Sequence, residues 1–504
     1  MPKHARPHLV DSWCCALLAA LLLLASGCNL PLAPGYTVRV ETRDVGFVPD
    51  RPARLEIHCH YLLENSGTTQ LEFMDISFPE VNPFGRKDIQ AQWDGHPVPL
   101  AELPEEYRPE SPDTLRLVFV SPWQHGERHE LDLAYQLSSP RDSGSRISIG
   151  ERTFHLGPRG WSALPQPPHH FLSPYPTRPP KMTYSIRVPS DFLVLARGKL
   201  MSRKTVGSET DYVFGLRKDD LAPYVVAGHY VETAFHSSAG AVVFWTLGPL
   251  TQNPGPMPNR LAQAWAVLQR DFGPIDTGVH APHLVECPDL DSNAAPGSRL
   301  VATSFPGGAL VNRDLLGLGI ASDEFIERVS RALARDWFGS QIYPTGAAAL
   351  GMGEGLPEYA TIVIDEARSG LTARQRRVRT YLARYDRAMK NGAEKPLGVT
   401  SPADPPAESA IALSKAPLMY AALEDTCGQK AVHAGLKRLV ATLHGQEVGF
   451  DDLRAAIEQV CGRDLGPFFR QWLYGSGLPP DFRSRYETGP MGPGSLLSLS
   501  RLYF

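Results

Sequence analysis

The residue types and spacings that could do chemistry concentrate in Ile326–Tyr359, IERVSRALARDWFGSQIYPTGAAALGMGEGLPEY. Arg331 and Arg335 stand four apart in a helical pattern, so both project from one helix face. Glu354 and Glu358 follow, also four apart. Guanidinium and carboxylate groups can form charge-assisted pairs. A guanidinium has no lone pair to give a metal, and Ala332 between the arginines offers no base. No histidine occurs from Leu284 to Val432, so a shifted register supplies no imidazole. Other candidates are weaker. His58 and His60 share one face of a strand pattern, the face expected to meet water. His169-His170 lies among prolines, and Asp142-Ser143-Gly144-Ser145 reads as a turn without a base partner. Gly351-x-Gly353-x-Gly355 lacks the preceding strand a dinucleotide site requires.

Two kinds of element position these residues. From Tyr36 to about Leu247 the hydrophobic period is two. Leu55, Ile57, Cys59 and Tyr61 alternate with polar residues, as do Met182, Tyr184, Ile186 and Val188. Thr114–Val120, Asp211–Leu216 and Ala241–Leu247 are further strand candidates, separated by Pro-rich stretches. Strands without intervening helices predict a sandwich-like antiparallel domain. After Pro256 the period becomes helical, with helices expected at about Asp323–Phe338, Gly355–Glu366, Thr372–Met389, Glu408–Glu424, Lys430–Leu443, Asp451–Val460 and Leu465–Leu473. Asp451 is placed to cap its helix and Gly462 to end it. The Thr372–Met389 helix, with Arg374, Arg376, Arg377 and Arg379, reads as a solvated face that could also meet anionic lipid headgroups. The fold class expected is α+β in two domains: a leader over 1–28, a β-rich unit over 29–247, a mainly helical unit over 248–480 and a tail over 481–504.

The same stretch resembles the active-site segment of the membrane alanyl aminopeptidases, gluzincin metallopeptidases in which a helix carries HExxH, then Trp-Phe-Gly, and a second helix brings a Glu after eighteen intervening residues. Here Trp337-Phe338-Gly339 is present, Gly353-Glu354-Gly355-Leu356-Pro357-Glu358-Tyr359 matches the second helix, and 18 residues separate Arg335 from Glu354. Ala227-Gly228-His229-Tyr230, Phe450-Asp451-Asp452-Leu453 and Phe468-Phe469-Arg470-Gln471-Trp472-Leu473 extend the likeness over about residues 36–480. The resemblance implies a thermolysin-like domain and a zinc cofactor, held by two histidines and a glutamate with a glutamate base. The positions of those histidines hold Arg331 and Arg335, and Ala332 stands for the base. Only Glu354 keeps a ligand type. Val311 stands where the resemblance puts the glutamate that binds the substrate's amino group. Leu413 stands where it puts a Tyr that stabilises the tetrahedral intermediate. Glu354, Glu358, Tyr359 and the two arginines are the expected cleft residues. One or both arginines would pair with Glu354 where the metal would be. The other reading is a first-turn glutamate favoured by the helix dipole, with the arginines in a solvated stripe with Arg328.

The 504 residues carry 50 Lys+Arg against 54 Asp+Glu, a net charge of −4 that argues against a nucleic-acid partner. Lys3 and Arg6 precede an apolar run, Ala16–Ala25, too short to span a membrane. Leu24-Ala25-Ser26-Gly27-Cys28 then resembles a bacterial lipobox, predicting an exported lipoprotein held in the cell envelope through a lipid on Cys28. In that oxidising setting Cys427 and Cys461, each just before a glycine at a helix end, either pair or remain buried thiols. The function expected is a non-catalytic relative of the zinc aminopeptidases that binds peptide or protein or supports an envelope assembly. The alternative is an active metallopeptidase with a non-standard metal site.

Overall fold

The computed structural model describes residues 35–77, 89–102, 114–138, 147–157, 161, 163–166, 182–216, 224–250, 255–275, 281–287, 302–317, 322–401 and 404–487. Cys28, Asp142-Ser143-Gly144-Ser145 and His169-His170 lie outside them.

The N-terminal half is built on an eight-stranded sheet of β1 (Thr37–Val48), β2 (Arg54–Glu64), β3 (Gln90–Trp93), β4 (His96–Pro97), β5 (Arg128–Ser138), β6 (Met182–Pro189), β7 (Lys199–Val206) and β8 (Glu209–Leu216). Its order is β7-β8-β6-β1-β2-β5-β3-β4. Pairing is antiparallel except for β1 with β6. The alternation read in β2 holds: Leu55, Ile57, Cys59 and Tyr61 are buried, while His58 is exposed and His60 accompanies Asp132 at 2.8 Å. Two four-stranded sheets complete this half, and Leu117, Phe154, Trp161 and Val225 add to its core.

The second half combines a five-stranded sheet with helices. The sheet holds β9 (Val231–Ser237), β10 (Gly240–Thr246), β11 (His283–Glu286), β12 (Ala302–Phe305) and β13 (Gly308–Val311), in the order β9-β10-β11-β13-β12. β10, β11 and β13 run parallel, and β9 and β12 are antiparallel edges. The strand expected at Ala241–Leu247 is therefore present, but it belongs to the sheet of the helical half.

The helices are α1 (Met257–Phe272), α2 (Asp323–Arg335), α3 (Gly355–Ser369), α4 (Leu371–Asn391), α5 (Pro406–Cys427), α6 (Gln429–Thr442), α7 (Phe450–Cys461), α8 (Gly466–Tyr474) and α9 (Pro480–Glu487). α1 and α2 cover one sheet face, and Val242, Phe244, Leu284, Ala309 and Val311 join their core. The opposite face meets the N-terminal half, where Tyr224 stacks on Phe305 with ring centroids 5.6 Å apart. α9 buries Phe482 and Tyr486 on the helical core, so ordered structure continues past residue 480. The cap expected at Asp451 is supplied one residue later: the Asp452 carboxylate accepts from Gly449 N at 2.8 Å. Gly462 ends α7 with φ +67°, as a left-handed C-terminal residue. Among the described residues no helix is long and apolar enough to cross a membrane.

Candidate functional site

α2 starts at Ser322, whose hydroxyl accepts from Phe325 N at 3.1 Å, with Asp323 and Glu324 favourably placed in the first turn. Phe325, Ile326, Val329, Ala332 and Leu333 form its buried stripe. Ala332, at the expected base position, is fully enclosed in that packing. Arg331 and Arg335 fall on the other side of the helix, with side chains 24% exposed.

The end of α2 is fixed by aromatic residues. The chain passes into a π-helical segment, Asp336–Gln341, a geometry often found near functional sites. Trp337 donates to Gly273 O at 2.8 Å and packs edge-on against Trp265, and Phe338 does the same against Phe272. Asp336 accepts from Gly307 N at 2.7 Å, and burial pushes its carboxyl up to about 6. Trp-Phe-Gly thus ties the C-terminal end of α2 to α1.

α3 begins beside α5. A Cβ on Gly355 would lie 2.5 Å from the Ala416 Cβ, so the start of α3 comes closer to α5 than any larger residue permits. This contact puts Glu354 at the N-terminal end of α3, opposite α2.

The four charged residues singled out in the sequence meet here. Arg335 bonds Glu354 through Nη2. Arg331 Nη1 donates to Glu358 Oε1 at 2.8 Å. The expectation that one or both arginines pair with Glu354 is met by one, while the other takes the glutamate a turn further along. The solvated-stripe reading fails for both, although Arg328 does pair locally with Glu324 at 3.0 Å. Two residues of α4 complete the cluster. Tyr381 donates to Glu358 Oε2 at 2.7 Å, and Arg384 Nη1 lies 3.6 Å from the same oxygen. Burial raises the Glu358 pKa, but Arg331, Arg384 and the Tyr381 hydroxyl outweigh it and hold the carboxyl well below the glutamate range. Glu358 in turn pushes the Arg331 guanidinium further up.

Sequence reasoning missed Tyr381 and Arg384, and of the four α4 arginines read as a solvated face Arg376 is exposed while the other three are engaged. Arg374 is buried, bonds Glu424 and reaches Glu366 at 3.3 Å. Arg377 joins Glu327 at 2.6 Å and Asp365 at 2.8 Å, and Arg379 donates to Tyr486 O at 2.7 Å. These three are interhelix ties, not a solvated or lipid-facing surface.

Other expected site residues lie elsewhere. Tyr359 points away from the arginines. Its hydroxyl donates to Glu424, and His433 Nε2 stands 3.0 Å from that carboxylate and 3.1 Å from the Tyr359 oxygen. Asp271, 3.6 Å from His433 Nδ1, closes this second buried network. Burial lowers the His433 pKa, but Asp271 and Glu424 more than offset that and raise it to about 9. Val311 is enclosed in the sheet–helix core on β13, an interior strand covered by β12. Leu413 is half-buried on α5, one turn before Ala416. Among the described residues, no three His, Cys, Asp or Glu side chains are grouped as a metal site. Cys427 and Cys461 are brought together at the ends of α5 and α7, with sulfurs 2.7 Å apart.

No family model matches the sequence, and no curated protein does. Solved structures do. An M1 zinc metallopeptidase from Deinococcus radiodurans superposes with a TM-score of 0.61 at 18% identity, covering 89% of this chain and 96% of that one. A mutant of that enzyme bound to a Tyr-Ser-Ala substrate gives 0.60 at 18% identity, over 88% and 96%. The fold is that of the M1 zinc metallopeptidases. The expected two-domain α+β architecture is thereby shown, and fold alone leaves the chemistry to the site.

Proposed function

We propose that this chain is an exported, lipid-anchored protein that keeps the M1 peptidase fold without its metal chemistry, and that it binds peptide or protein segments. The observation that carries this reading is the engagement of Arg331 with Glu358 and of Arg335 with Glu354. Zinc needs lone-pair donors and one open position for water. The helix face that would present them offers N–H donors only, and its glutamates are already held by guanidinium groups. The donor set does not fit zinc. Ala332 and Leu413 likewise have no proton to move.

The interhelix joint that a metal would make is made here by ion pairs. The leader with its lipobox supports anchoring through Cys28 at a bacterial membrane. In that compartment Cys427 and Cys461 join: a disulfide exchange partner takes two electrons and the thiols release two protons. Thiol alkylation before and after reduction should then count two additional free thiols after reduction, and none if the pair stays reduced.

The decisive experiment is metal analysis of the purified chain, isolated without chelator and then supplied with zinc, together with an aminopeptidase assay. No bound zinc and no hydrolysis are expected. One zinc per chain that disappears in Glu354→Ala would overturn the reading.

A further inference from the structure

Arg331 and Arg335 each use a minority of their donors on a glutamate. A guanidinium carries five N–H groups in a planar fork. Arg331 gives Nη1 to Glu358, and Arg335 gives Nη2 to Glu354. Both side chains still reach solvent, at 24% exposure, so the cluster is open from one side. The two guanidinium groups lie one helical turn apart on the same face of α2, with Arg384 approaching from α4. Tyr381 and Arg384 brace Glu358 from behind, and Glu358 holds Arg331 in place. Two planar donors, the first of them braced, match a carboxylate, which accepts two N–H groups side by side.

We infer that the Arg331–Arg335 face is a binding site for the carboxylate of a peptide, so that an anionic group is taken where a metal would hold a carbonyl. The inference rests on the peptide-binding reading above and names the chemistry it selects. The carboxylate comes from a peptide C-terminus or from an acidic side chain, and the two sources separate in the test.

The probes are Ala-Ala-Phe, its N-acetyl form, its C-terminal amide, and N-acetyl-Ala-Glu-Phe amide, titrated calorimetrically into the full chain at low salt. Ala-Ala-Phe and its N-acetyl form should bind alike. The C-terminal amide should bind about tenfold more weakly, the loss of one charge-assisted contact pair. If N-acetyl-Ala-Glu-Phe amide recovers the affinity, the site reads a side-chain carboxylate; if it does not, the site reads the terminus. Arg335→Gln should erase the difference between acid and amide. This variant should fold, because the Glu354 it releases is 37% exposed and can be hydrated. Arg335→Lys keeps the charge without the fork and should give an intermediate difference.

Equal affinity for acid and amide overturns the inference and leaves the peptide-binding reading intact. No binding by any probe up to about 10 mM, weaker than a bidentate contact should give, overturns both. Stoichiometric zinc with cleavage of the amide overturns the loss of metal chemistry.

Discussion

Glu354 and Glu358 both face arginines of α2, yet they stand in different solvent. The Glu358 side chain is 6% exposed and that of Glu354 is 37%. Removing the charge of Glu358 leaves Arg331 and Arg384 around a neutral amide in a largely dry place. Breaking a buried pair from one side is strongly destabilising. Glu358→Gln should therefore lower the unfolding free energy by about 3 kcal/mol, and Glu354→Gln by less than about 1 kcal/mol, in denaturant titrations. Equal losses would mean that the cluster is uniformly wet. The folded-state pKa of Glu358 is depressed, so its contribution is present above the unfolded glutamate range and is lost as pH falls through that range. Below about pH 4 the wild type should lose stability more steeply than Glu358→Gln. His433 carries the opposite sign. Its pKa rises from 6.5 to about 9 on folding. Its stabilisation is then fully present below pH 6.5 and fades as pH climbs toward 9, by at most about 3 kcal/mol. Melting curves of wild type and His433→Gln should converge across that window. Parallel curves would show that the imidazole stays neutral.

The helices meet at points where a single atom decides the spacing. Gly355 lets α3 touch α5 at Ala416, and Gly355→Ala should cost about 1–3 kcal/mol by overpacking, read as a fall in melting temperature. It should also weaken the hold of Arg335 on Glu354, because the contact sets the position of the α3 N-terminus. Much of this arrangement was legible in the sequence. The family resemblance, carried by Trp-Phe-Gly and the eighteen residues between Arg335 and Glu354, implies that the two charged faces stand opposite each other. Whether the arginines pair or stay solvated is open in the sequence and is decided by the contacts with Glu354 and Glu358. α4 was less legible. Arginines at 374, 376, 377 and 379 surround the helix, and which of them turn inward depends on Glu327, Asp365 and Glu424 of other helices. That information is long-range and leaves no periodic mark. Tyr381 and Arg384 escaped notice for the same reason: the glutamate they serve is twenty-three or more residues away. The Asp451–Asp452 choice at the α7 cap was a matter of one residue, settled by which carboxylate reaches Gly449.

At the scale of the whole molecule, a β-rich half and a helical half share a contact built from Tyr224, Val226 and Tyr230 against Phe305 and Leu310. Period-two patterning locates strands but does not say which sheet a strand joins, so it groups β9 and β10 with the β-rich half although they pair into the five-stranded sheet of the other. Their true membership bears on how the chain can be cut. A gene fragment opened at residue 248, where the hydrophobic period changes, discards both strands. It bares the flank of β11 that β10 protects, and leaves Leu261 and Trp265 of α1 without Val242 and Phe244. Bare parallel strands invite edge-to-edge association. A piece spanning 248–487 should therefore precipitate or run as aggregates on size exclusion. One spanning 229–487 leaves Val225–Gly228 in the N-terminal sheet it pairs with, carries its own outer strand and should be recovered at monomer size. The workable seam for dissecting this protein lies some twenty residues upstream of the place where its composition changes.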